Sequence, residues 1–169
     1  MELPSGHCIE ILPDPDAPSP RTWDNLGTFQ IYHRHYASPD PIERDPPCIH
    51  ADDIGLNVWA YDHSGVVYRA GATNPFHCPW DSGFAGIIYC SHAKARQWLD
   101  VRRLTRADVA RVRDILADEV RLYSEWLNGE VYGYRLFDPS GHEIDACWGF
   151  YGHDRANLIA TATEGATHG

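Results

Sequence analysis

No stretch of this chain approaches the roughly 18 to 20 apolar residues that a bilayer crossing requires. The segment at Met1, with Glu2 and Pro4, also lacks the basic start and apolar run of a secretory signal. Both absences lead to the expectation of a cytosolic protein with no membrane partner. Phosphate-binding loops are missing as well, since neither GxxxxGKS/T nor a GxGxxG after a strand occurs. The five cysteines (Cys8, Cys48, Cys78, Cys90, Cys147) form no CxxC pair, and there is no HExxH or CxxC…HxxxH spacing. An odd number of scattered cysteines without a secretory signal argues for thiols rather than a disulfide framework. Basic residues are scarce: 14 Lys and Arg face 24 Asp and Glu, for a net charge of -10. That balance disfavours a generic grip on the phosphate backbone, so no direct nucleic-acid binding is expected. Internal repeats are absent.

What is present is ordinary globular material. The 169 residues are 43% hydrophobic and 22% charged, enough for one domain spanning 1–169 with its own core. Six Trp, nine Tyr and five Phe against one Met point to a fold and a surface anchored by flat rings. Charge is unevenly placed. Residues 94–121 carry eight basic side chains (Lys94, Arg96, Arg102, Arg103, Arg106, Arg111, Arg113, Arg121) against five acids, so that segment is +3 and the remainder -13. Asp100, Asp108 and Asp114 are interleaved with those arginines, and the helical spacing predicts local ion pairs that reduce the outward field. The Arg-rich segment is therefore expected to contribute to the choice of a protein partner.

The patterning predicts strands at 7–12 and within 26–35, the latter with Phe29, Ile31 and His33 on one face and Gln30, Tyr32 and Arg34 on the other. Four prolines between Ser38 and Pro47 exclude regular structure and predict a long loop or lid at 38–47. Val58 to Tyr61 and Val66 to Arg69 read as a hairpin around Asp62-His63-Ser64-Gly65, and 84–90 as a central strand. Ser91 is placed to cap a short helix ending near Leu99. Thr105 and Asp108 form a capping box for a long helix over 105–128, whose apolar stripe runs Val109, Val112, Leu116, Val120, Tyr123, Leu127 until Gly129 stops it. A second hairpin follows, 130–137 and 142–148, joined by Asp138-Pro139-Ser140-Gly141. A last helix is expected at 153–163, and a frayed tail at 164–169. Strands around one long helix, without βαβ alternation, give the α+β class: an antiparallel or mixed sheet of about six strands packed against that helix.

Ligand-like residues are plentiful but not in recognised arrays. The pairs His33-x-His35, Cys48-x-His50, His77-Cys78 and Cys90-x-His92 leave open a zinc site drawn from Cys48, His50, Cys78, Cys90 and His92. Asp62-His63-Ser64 has the letters of a triad, yet adjacent residues on a tight turn diverge, whereas a base must reach its nucleophile. No cofactor and no catalytic residues are assigned. More informative are three clusters that set an indole among turn residues: Trp23-Asp24-Asn25-Leu26-Gly27, Cys78-Pro79-Trp80-Asp81-Ser82-Gly83 and Cys147-Trp148-Gly149-Phe150-Tyr151-Gly152. They either close the ends of the sheet or meet the turn at 62–65 as one recognition surface, with Trp23, Asp62, His63, Ser64, Trp80, Asp81 and Trp148 as its residues.

These clusters in this order, together with His33-Arg34-His35-Tyr36, Tyr61-Asp62-His63-Ser64-Gly65, Gly86-Ile87-Ile88-Tyr89 and Gly129-Glu130-Val131-Tyr132-Gly133-Tyr134, resemble a family of small proteins encoded by bacteriophages and prophages. The resemblance covers about 8–155. It implies a phage origin and action in the host cytoplasm, and it carries no catalytic residues. His77, His92 and the Arg-rich middle depart from the family pattern. A small acidic phage protein without an enzyme signature is expected to bind and inhibit a host protein, such as a defence nuclease complex, in the manner of anti-CRISPR proteins. The alternatives are a small zinc- or thiol-dependent enzyme acting on a nucleotide or host factor, and a phage accessory or structural protein.

Overall fold

A run of near-continuous apolar residues, Phe84 to Cys90, lies in one of the two inner strands of a four-stranded antiparallel sheet in a computed structural model that describes every residue except Pro4, Arg34 and Gly169. The elements are β1 (Cys8–Pro13), β2 (Thr28–Ile31), β3 (Asp53–Asp62), β4 (Val66–Gly71), β5 (Ser82–Ser91), α1 (His92–Leu99), α2 (Arg106–Leu127), β6 (Val131–Phe137), β7 (Glu143–Tyr151) and α3 (Arg155–His168). The α+β class and the long helix stand as the sequence implied. Among the described residues the strands number seven and are divided between two antiparallel sheets, ordered β2-β5-β3-β4 and β1-β6-β7. The chain packs as two units, 19–124 and 1–18 with 125–169, the division falling in the last turn of α2. No helix of the described residues is long and apolar enough to cross a membrane.

In the 19–124 unit, the caps read from the sequence are in place. Ser91 accepts from the Lys94 amide at 3.1 Å, and Thr105 and Asp108 exchange hydrogen bonds through side chain and backbone. The carboxyl of Asp108 is held below the usual carboxylate range by those two bonds from Thr105. Asp100, in the left-handed region at φ 52, ends α1. Along α2, Val112, Leu116, Val120 and Tyr123 are buried, and Tyr123 meets Phe29 edge-on at 5.4 Å between ring centroids. Gly27 has no room for a side chain, because an added Cβ would lie 2.6 Å from Leu116 and 2.7 Å from Ile88.

Of the alternation read across 29–34, β2 covers only Phe29, Gln30 and Ile31, since it ends at Ile31, and both of its faces are buried. Gln30 is as buried as Phe29, because the irregular segment after β2 folds over the other face of the sheet. Gln30 Nε2 donates to the Pro41 carbonyl, Tyr89 Oη donates to Glu43, and the Arg44 guanidinium lies 3.4 Å from the centre of the Tyr89 ring. The same segment closes the free edge of β2, where Asp40 accepts from the Phe29 amide at 2.6 Å and Ser38 from the Ile31 amide at 3.0 Å. An exposed strand edge is a template for unwanted pairing, and here side chains fill it. Arg34 lies outside the described residues.

The segment is anchored by Arg21. Its guanidinium spends all five donors: on both oxygens of Asp40 (3.2 and 2.6 Å), Asn25 Oδ1 (3.1 Å), Glu119 Oε2 (2.9 Å) and the Gly27 carbonyl (2.7 Å). Glu119, on α2, also accepts from the amides of Leu26 and Gly27. The Arg21 and Glu119 side chains are 8% and 10% exposed. Burial opposes the Arg21 charge, but its bonds to Asp40 and Glu119 outweigh that and raise its pKa.

In the other unit, β6 is flanked by β1 and β7, and Ile9, Tyr134, Leu136, Leu158 and Ala162 form the core between this sheet and α3. The Trp148 indole lies across Gly133, whose added Cβ would sit 2.2 Å from the ring, at a bulge where Gly149 adopts φ 89. Tyr134 donates to Asp145 at 2.7 Å, and burial together with that carboxylate pushes its phenol up to about 12. The final helix continues through His168, past the end expected at 163. Of the tail expected at 164–169, Gly169 lies outside the described residues.

Because lysine keeps the charge but not the planar fork, Arg21→Lys is expected to lower stability by about 2 to 3 kcal/mol in urea denaturation. A change within about 0.5 kcal/mol would show that the five bonds are not what holds this segment.

Candidate functional site

Asp62 closes β3 and Val66 opens β4, so the three residues between, His63, Ser64 and Gly65, form a turn in which Ser64 takes φ 66. The irregular segment 74–81 returns beside that turn. Asn74 organises it by donating to Ser82 Oγ (2.9 Å) and accepting from the Phe76 amide (3.0 Å), while Ser82 Oγ donates to the Cys78 carbonyl at 2.5 Å. The Asp62 amide then donates to the Asp81 carbonyl at 2.8 Å, which joins the two segments.

The result is an open cavity of about 280 Å3 lined by His33, Asp62, Trp80, Asp81, Gly83 and Phe84, together with Ala60 and Ser82. Its walls alternate in chemistry. His33 Nε2 lies 3.8 Å from Asp62, and His63 Nδ1 lies 3.6 Å from Asp81. Phe84 stands edge-on to Trp59 at 6.1 Å, and Tyr61 stacks toward Phe76 at 5.6 Å. Trp80 is 92% exposed and Phe84 46% exposed. Such a pair is uncommon away from an interface, because large rings are ordinarily buried when packing alone places them.

Of the recognition residues read from the sequence, the structure brings Asp62, His63, Trp80 and Asp81 together. Ser64 sits on the adjoining turn and does not line the cavity. Trp23 stands elsewhere in the same unit, just after the 3-10 turn Pro20–Thr22, where its carbonyl accepts from the Asn25 side chain at 2.8 Å. Trp148 belongs to the other unit, where it packs on Gly133 and borders a separate cavity with Asp14, Pro15 and Asp16. Trp23 and Trp148 are 48% and 45% exposed and do not line this cavity, whereas Trp80, at 92%, does. His33 and Phe84 are lining residues that the sequence reading left out. The His33-x-His35 pair was the available signal for His33. Phe84 was absorbed into the apolar pattern of β5.

The alternative zinc set does not assemble, and among the described residues no group of three or more His, Cys, Asp or Glu is placed to hold a metal ion. Cys48 and His50 lie on the exposed loop before β3, where the Cys48 carbonyl accepts from Arg44, and His92 opens α1. Cys78 Sγ donates to Asp81 at 3.3 Å. Cys90 is buried in β5, and that burial pushes its thiol up to about 11.

No family profile, curated protein or solved structure matches the chain.

Thiol accessibility follows directly from these positions. In the native protein, iodoacetamide is expected to modify Cys8, Cys48 and Cys147 fastest and to leave Cys90 unmodified, as read by peptide mass spectrometry. Modification of Cys90 as fast as Cys48 would contradict its burial.

Proposed function

We propose that this is a phage-derived binding protein that acts in the host cell by docking on a host protein and inhibiting it, with the cavity around Trp80 as its contact surface. The observation that carries this reading is the exposed Trp80 indole at the rim of a cavity walled by two carboxylates. Tryptophan in such a position is the residue type most enriched among energetic anchors of protein interfaces, provided a partner covers it. Asp62 and Asp81 place part of the protein's net charge of -10 at this cavity, which favours a partner with a basic patch and steers its approach. The phage origin rests on the resemblance of the ordered motifs. A defence nuclease complex is the proposed class of target, since such assemblies present basic nucleic-acid channels.

A thiol enzyme has less support in the same residues, because Cys78 is committed to Asp81 and Cys90 is buried.

The test is a tagged pull-down from host lysate with the wild-type chain and Trp80→Ala in parallel. The expected result is a host protein captured by the wild type and lost in the variant. The melting temperature should be unchanged, because an exposed ring contributes little to the core. Capture that is indifferent to Trp80 would remove this surface from the reading.

A further inference from the structure

We infer that the Arg-rich junction between α1 and α2 is a binding site for the phosphate group of a small phosphomonoester. Local ion pairs with Asp100, Asp108 and Asp114 were expected to reduce the outward field of these arginines, and none of those pairs forms among the described residues. Asp108 is committed to Thr105, Asp100 ends α1 through its backbone amide, which donates to the Arg96 and Gln97 carbonyls, and the ion pair formed along α2 is Asp118 with Arg121 at 2.8 Å. Arg96, Arg102 and Arg103 are left without a carboxylate partner among the described residues.

Local geometry brings the three together. Asp100 turns the chain through the left-handed region, and the Val101 amide donates to the Arg96 carbonyl at 3.0 Å. Arg102 and Arg103 are thereby returned toward the last turn of α1. With His92, Leu104 and Val109 they line a cavity of about 260 Å3 that no carboxylate borders. Three guanidinia around one small cavity repel one another, a cost that an anion of high charge density removes. The planar fork of arginine matches phosphate oxygens two at a time. Leu104 and Val109 supply an apolar wall that suits the organic part of a monoester better than a second phosphate.

Charge elsewhere selects the size of the ligand. The rest of the chain carries -13, so a long polyanion is repelled over the range of the Debye length, whereas a compact dianion feels mainly the three nearest guanidinia. The site is thus built for one phosphate and against a duplex. It is distinct from the Trp80 cavity and does not rest on it.

The full chain is titrated by calorimetry, and in parallel by following its arginine side-chain resonances, with four probes: inorganic phosphate, adenosine 5′-monophosphate, adenosine and a random DNA duplex. Expected is one saturable site for phosphate and for the monophosphate, competing with each other, with Kd of about 1 mM or tighter. Adenosine and the duplex should show no binding. Arg102→Ala/Arg103→Ala should weaken the monophosphate by at least about 10-fold, since two charge-assisted bonds are lost, with an unchanged melting temperature because both side chains are exposed. Arg96→Gln provides an independent variant with the same expected direction. Absence of saturable phosphate binding, or affinity unchanged in both variants, would overturn the site. Duplex binding as tight as the monophosphate would replace it with a general polyanion grip.

Discussion

A single buried guanidinium, that of Arg21, organises the part of this protein that has no regular structure. Between β1 and β3 lie about forty residues of which only β2 is a strand, and such a length of irregular chain must find partners for its backbone without a ladder. Arg21 supplies the answer by joining three separate pieces: its own turn through Asn25 and Gly27, the segment after β2 through Asp40, and α2 through Glu119. Glu119 then satisfies the Leu26 and Gly27 amides, which lie where no strand partner exists. A buried ion network of this kind earns its place by specificity: with every donor used, alternative placements of the 19–40 segment leave a charge unpaired at a cost of several kcal/mol.

The proposed contact surface depends on this anchoring at one remove. Asp40 both holds Arg21 and closes the edge of β2, and β2 delivers the chain to His33, which lines the cavity opposite Trp80 and Asp81. The remaining walls come from the β3–β4 turn and the start of β5, where main-chain and serine bonds fix the segment that carries Trp80. Rigid strands on one side and a tied irregular segment on the other leave the Trp80 ring as the part that projects into solvent.

Much of the architecture was legible because it rests on local rules. Ser91, Thr105 with Asp108, and Gly129 bound their helices by capping chemistry that needs only neighbours in sequence, and the apolar stripe of α2 follows from helical period. The inner position of β5 was readable from its continuous apolar run. The burial of Gln30 was not, since it depends on a covering segment that sequence patterning marks only as irregular. Nor was the division into two sheets, which depends on which strands pair across long separations. Glu119 and Arg21 lie far apart in sequence and each looked like an ordinary charge. At the site, turn composition pointed to Asp62, His63, Trp80 and Asp81 together, but the same composition at Trp23 and Trp148 serves a local turn and a bulge. Indole-and-turn clusters alone do not separate those duties; the distinction lies in degree after folding, with Trp80 92% exposed against 48% for Trp23 and 45% for Trp148.

Native-state hydrogen exchange at the Leu26 and Gly27 amides, compared between the wild type and Glu119→Gln, tests the organising role of the buried network most directly. In the wild type both amides should exchange with the protection of the β5 core, because the Glu119 carboxylate holds them. In the variant their protection should fall at least about 100-fold further than that of the Ile87 and Ile88 amides, as the 19–27 segment opens locally. Equal and small losses at all four amides would contradict the account, since they would show that the segment keeps its place without the Arg21–Glu119 link.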